Sequence, residues 1–75
     1  MKKNIFNIYE PVVSVYDRDS KHTACAGERC KFDSVIVEKK KAYAVLINSQ
    51  NNKLIISYKL FKDVFYPSKN QISPL

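Results

Sequence analysis

The sequence predicts an all-β or β-rich domain, a small antiparallel sheet or barrel of about four to five strands with a short helical turn near residues 60–65. Three observations carry this. Short runs rich in β-branched and aromatic residues recur along the chain, clusters of Asn, Ser, Lys and Asp separate them, and a chain of 75 residues has room for only one core. Apolar residues make up 45% of the chain and charged ones 27%, with five Tyr and four Phe, a balance that belongs to a folded domain and not to a disordered tail.

Within residues 1–11, Ile5, Phe6, Ile8 and Tyr9 fit either a helical turn or a short edge strand. Pro11 lacks an amide donor and biases Glu10 towards an extended backbone, so a boundary is expected there, with Val12-Val13-Ser14-Val15-Tyr16 as the first firm strand. From Asp17 to Lys31 apolar periodicity is lost, and the stretch reads as a long polar loop. A connection of that length in a small domain is either functional or a disguised element.

Phe32 to Glu38 alternates, placing Phe32, Ser34, Ile36 and Glu38 on one face and Asp33, Val35 and Val37 on the other. Lys39-Lys40-Lys41 follows as a basic tip, and Ala42 to Ile47, a near-continuous apolar run, completes a hairpin. Asn48 to Lys53 is a second turn, because Asn tolerates left-handed backbone angles, and Leu54 to Tyr58 is the returning strand. Leu60, Phe61, Val64 and Phe65 recur at the spacing of a helical or 3₁₀ turn that plugs the open end of a sheet. Residues 1–67 are thus expected to form one domain, and residues 68–75 a frayed tail.

Strand, long loop, strand, tight hairpin, strand, tight hairpin, strand and short helical turn is an order that resembles the Src-homology-3-like small barrels, of the kind found in short phage-encoded proteins. The resemblance rests on the strands Phe32 to Val37, Ala42 to Ile47 and Leu54 to Tyr58 with the plug Leu60 to Phe65, roughly half the chain. It implies a small barrel that works by binding. The groove that takes Pro-rich ligands in that family needs clustered aromatics and an acidic loop, and the basic loop of this chain departs from that pattern.

The formal net charge of +6, from thirteen Lys and Arg against seven Asp and Glu, points to a partner with an acidic surface, either a larger protein or a nucleic acid. For a nucleic acid, Lys31, Lys39, Lys40, Lys41, Lys53 and Lys59 would meet phosphates while Tyr43 or Tyr58 stacks a base. For a protein, Tyr9, Tyr16 and Tyr66 with Arg18 and Arg29 would anchor the interface. Lysines at strand ends also keep sheet edges from pairing with other chains, which accounts for them without any ligand. A homodimer formed by covering an open edge is compatible with either partner.

No catalytic constellation is present in the sequence: there is no Gly-rich phosphate loop, no nucleophile in a recognisable context, and Asp17 with Asp19 is the only close acidic pair. His22, Cys25 and Cys30 are ligand types for zinc, but their spacing differs from that of metal knuckles, so neither a metal nor another cofactor is expected and the cysteines are read as reduced thiols. No apolar run approaches the roughly 18–20 residues of a membrane span, and the start Met1-Lys2-Lys3-Asn4 turns polar too soon for a signal core. The expectation is a non-enzymatic cytoplasmic protein (host cytoplasm, if phage-encoded) of inhibitor or adaptor type, docking on a larger protein such as a nucleic-acid-processing or defence enzyme. The alternative is a basic nucleic-acid-binding module.

Overall fold

Alternating and continuous apolar runs do become strands, and the polar clusters between them become turns. The computed structural model describes residues 7–68. In chain order they form β1 (Ile8–Pro11), β2 (Val15–Tyr16), β3 (Thr23–Ala24), β4 (Cys30–Glu38), β5 (Lys41–Ile47), β6 (Lys53–Ser57), α1 (Tyr58–Val64) and β7 (Phe65–Pro67). Five of the strands make one antiparallel sheet in the order β6-β5-β4-β1-β7, and β2 pairs with β3 in a separate two-stranded ribbon. This is the β-rich fold with a short helix that the sequence predicts, realised as an open sheet.

Three local expectations are corrected. Val12 and Val13 are exposed and lie outside any strand, because Pro11 closes β1 and the Val12 amide donates to the Val64 carbonyl at the end of α1. β-branched propensity loses here to a tertiary hydrogen bond. The stretch Asp17 to Lys31 is not a loop throughout: it contains β3, and its last two residues begin β4.

The third correction concerns the faces of β4. Lys31 and Phe32 oppose Ile47 and Leu46, but Ser34 opposes Val45, so a β-bulge leaves Asp33 without a partner. Because side chains alternate, one extra residue transfers all later positions to the opposite face. Cys30 and Phe32 therefore share the inner face with Leu46 and Leu54, whereas Ser34, Ile36 and Glu38 share the outer face with Val45 and Tyr43.

The core lies between the inner face of the sheet, the ribbon and α1. Val15, Ala24, Cys30, Ala44, Leu46, Leu54, Ile56, Phe61 and Phe65 are buried together, with Tyr9, Phe32 and Val64 packed against them. Phe61 is the centre of the aromatic part, with ring centroids 5.0 Å from Tyr9, 5.3 Å from Phe32 and 5.4 Å from Phe65. A seven-residue helix is not stable alone, so this burial holds α1 in place. Its first turn is closed by Ser57, whose hydroxyl accepts a hydrogen bond from the Leu60 amide at 3.1 Å.

Two turns use one device. The Asp17 carboxylate accepts the amides of Asp19 and Lys21 at 2.9 and 3.1 Å, and the Asn48 side-chain oxygen accepts those of Gln50 and Asn52 at 3.0 and 2.8 Å. In each, the residue three positions on, Ser20 or Asn51, takes a positive φ and donates its amide to the Asx carbonyl. Both Asx side chains are buried, and Asn48 also donates to the Thr23 carbonyl, joining the second turn to the ribbon.

Truncating the aromatic centre and the helix cap separates their contributions. Phe61→Ala is expected to cost about 3–5 kcal/mol and Ser57→Ala about 1 kcal/mol, read from urea unfolding midpoints at unchanged m-value. Equal costs for the two would show that the helix, and not the aromatic packing, limits stability.

Candidate binding surface

Of the acidic residues between β2 and β4, Asp17 and Glu28 hold backbone in place. Glu28 joins two loops: one carboxylate oxygen accepts the Cys25 amide at 2.9 Å, and the other accepts the Ser49 amide at 2.9 Å and the Ser49 hydroxyl at 2.5 Å. Partial burial works to raise its pKa, but the Ser49 and Cys25 donors together hold the carboxyl below the usual 4.5. Lys21, His22, Thr23, Cys25, Glu28, Asn48, Gln50 and Asn52 line a shallow cleft of roughly 290 Å³ between the ribbon and the β5–β6 turn. Across it the Asn48 side chain donates to the Thr23 carbonyl. Among the described residues no three His, Cys, Asp or Glu side chains are grouped to hold a metal ion.

The two cysteines are free and differ in environment: Cys25 is exposed, whereas Cys30 is buried in the core. Burial pushes the Cys30 thiol up to about 12, with the charges of Glu28 and Cys25 acting in the same direction.

The lysines fall into separate groups. Lys31 and Lys53 flank Ile47 across β4, β5 and β6, on the outer face at one end of the sheet. Lys39, Lys40 and Lys41 lie at the other end of β5, about 20 Å away at the rise of a strand, and Lys59 is on α1. The Tyr43 ring is covered by the Arg18 guanidinium, 4.8 Å from its centroid, and Arg18 also donates to Glu38 at 2.7 Å. That hydrogen bond and its charge hold the Glu38 carboxyl below its ordinary range, with Lys39 adding to the effect. The Arg18 backbone amide donates to the Ile55 carbonyl at 2.7 Å, so the residue wraps β6 and lies across the outer face.

The remaining predicted anchors are equally distributed. Tyr9 is half-buried among Phe32 and Phe61, and the Tyr66 hydroxyl donates to Glu10 at 3.2 Å. Tyr16 and Arg29 are exposed. Ser68 is buried, its hydroxyl donating to Glu10 at 2.7 Å; residues 69–75, the rest of the expected tail, lie outside the described residues.

A surface that the sequence reading did not single out lies on the inner face, beyond the cover of α1. After the bulge Val35 opposes Ala44 and Val37 opposes Ala42, and both valines are exposed, Val37 by 68%. Ser57 opposes Tyr43, so the next residue, Tyr58, brings the start of α1 beside Ala42. Register thus places the small residue Ala42 between Val37 and the start of α1 at Tyr58, a shallow trough at this end of the inner face. Leu60, 38% exposed, is two positions further along α1 and so on a different side of it.

Basic groups surround this trough. Lys39 and Lys40 form the two-residue turn at its end, and Lys62 sits 5.8 Å from the Tyr58 ring centroid. Among the described residues the ion pairs are those of Arg18 with Asp19 and Glu38, so the lysines carry no paired carboxylate. Lys39 and Lys40 both have positive φ, 51° and 67°. A hairpin of this type prefers Asn-Gly, and a left-handed backbone costs a side-chain-bearing residue about 1–2 kcal/mol. The sequence signal for this surface is the pair Val35 and Val37 beside Ala42 and Ala44, which becomes visible only once the bulge is known.

No protein-family model, curated protein or solved structure matches the chain. No helix among the described residues is long and apolar enough to cross a membrane.

Two measurements test these environments. Iodoacetamide at neutral pH is expected to give one adduct per folded chain, at Cys25, and a second at Cys30 only in denaturant; two adducts at equal rates would contradict the buried thiol. A carboxyl with a depressed pKa contributes stability that is complete above its unfolded pKa and lost as pH falls through the folded one. Stability is therefore expected to decline as pH drops below about 4.5, and Glu28→Gln to flatten that part of the profile in pH-dependent urea unfolding.

Proposed function

We propose that the chain is a non-enzymatic protein-binding module of adaptor or inhibitor type, which docks on a larger protein through the trough at Val37, Ala42 and Tyr58. The observation that carries this reading is the exposure of Val35 and Val37 on one face of β4, with Tyr58 exposed at the nearby start of α1. Apolar side chains exposed singly need no explanation, but a contiguous set framed by charge is the pattern of an interaction surface.

The order β1, ribbon, β4, β5, β6, α1, β7 supports the resemblance to Src-homology-3-like barrels, with the helix between the last two strands. We read the chain as a member of that class. The ribbon and the β4–β5 turn then act as the variable parts that adapt a common scaffold to its partner.

The nucleic-acid reading has less support. A phosphate track needs its lysines along one path and an accessible ring for stacking, whereas the lysines here stand at separate ends and faces of the sheet, and of the two candidate rings Arg18 covers Tyr43 while Tyr58 is exposed. Affinity purification from the native cell, in parallel with and without nuclease, distinguishes the two. A stoichiometric protein recovered in both arms is the expected result, and recovery that disappears with nuclease would make the chain a nucleic-acid binder.

A further inference from the structure

Resting on the protein-binding reading, the geometry points to a partner segment of stated chemistry: an acidic peptide segment carrying an aliphatic or aromatic side chain that inserts over Ala42. Shape and charge each contribute. Ala42 is the small, exposed residue between Val37 and the start of α1 at Tyr58, leaving room for one apolar side chain. Lys39 and Lys40 at one end and Lys62 by Tyr58 make the rim positive.

Glu38, on the outer face, spends its hydrogen bond on Arg18 and feels Lys39 only through space, and neither it nor Asp63, beside Lys62 on α1, forms an ion pair with a rim lysine. Unpaired lysines within a Debye length of about 8 Å at physiological salt attract acidic groups and repel basic ones. The Lys39-Lys40 turn adds an independent indication. Two lysines occupy backbone positions that Asn and Gly fill at lower cost, in a chain that uses Asn freely in its other turn. The charge is placed there against the preference of the backbone.

This inference is tested by selecting binders from a display library of random peptides against the full chain, then measuring the winners on two variants. Lys39→Asn with Lys40→Gly removes the charge while suiting the turn, so its unfolding midpoint is expected to rise and lost binding cannot be attributed to misfolding. Ala42→Lys fills the trough while keeping the charge positive. The winners are expected to be rich in Asp and Glu around a Leu, Ile or Phe, and to bind each variant about tenfold or more weakly, a loss of about 1.4 kcal/mol or more. They are also expected to shift the amide resonances of Val37, Ala42 and Tyr58.

Neutral or basic winners, no enrichment, or binding indifferent to both variants would overturn the inference. So would a dimer of the wild-type chain that Ala42→Lys dissolves, or a single-stranded oligonucleotide that shifts those amides when acidic peptides do not; these would assign the surface to a second copy or to nucleic acid. Capture of a protein that survives both variants would leave the protein-binding reading standing and remove this surface from it. Failure to capture any protein would remove the reading itself.

Discussion

The unpaired residue Asp33 decides the side of the sheet on which the second half of β4 presents its side chains. Before it, Cys30 and Phe32 face the core and complete the aromatic cluster around Phe61. After it the alternation is inverted: Glu38 meets Arg18 on the outer face, and Val35 and Val37 appear on the inner one, beyond the reach of the helix. Without the extra residue the two valines would change places with Ser34, Ile36 and Glu38, and both the Arg18 ion pair and the trough would be lost.

A second constraint is the way a small domain supports so much non-sheet chain. The segment between β1 and β4 is too polar to be held by apolar burial alone, and it is secured by buried polar side chains acting as internal scaffolding. Asp17 shapes its turn, Glu28 ties it to Ser49, and Asn48 reaches Thr23 from the opposite hairpin. None of the described buried side-chain polar atoms lacks a partner. In an interior of limited size, that completeness matters as much as the apolar contacts, because an orphaned donor or acceptor costs about 1–3 kcal/mol.

The elements whose signals are local were legible in the sequence. The hairpin strands, the Asn-rich turn with Asn51 in the left-handed region, and the plug at Leu60 to Phe65 all follow from periodicity and turn chemistry. The elements fixed by tertiary partners were not. Val12 and Val13 have the composition of a strand but no neighbour to pair with, and Thr23–Ala24 is a strand only because Val15–Tyr16 lies opposite. The site was hidden for the same reason: a bulge has no reliable composition, and the faces of β4 invert at a residue, Asp33, that looks like any other polar position in an alternating run.

An open sheet has two edges, and both are poor templates for further strands. The Arg18 amide occupies the Ile55 carbonyl on the β6 side, while β7 is three residues long and ends in Pro67. Growth by backbone pairing is thereby discouraged at each end. Contacts with other molecules are left to side chains, which mutation can change one at a time while the sheet beneath them is kept.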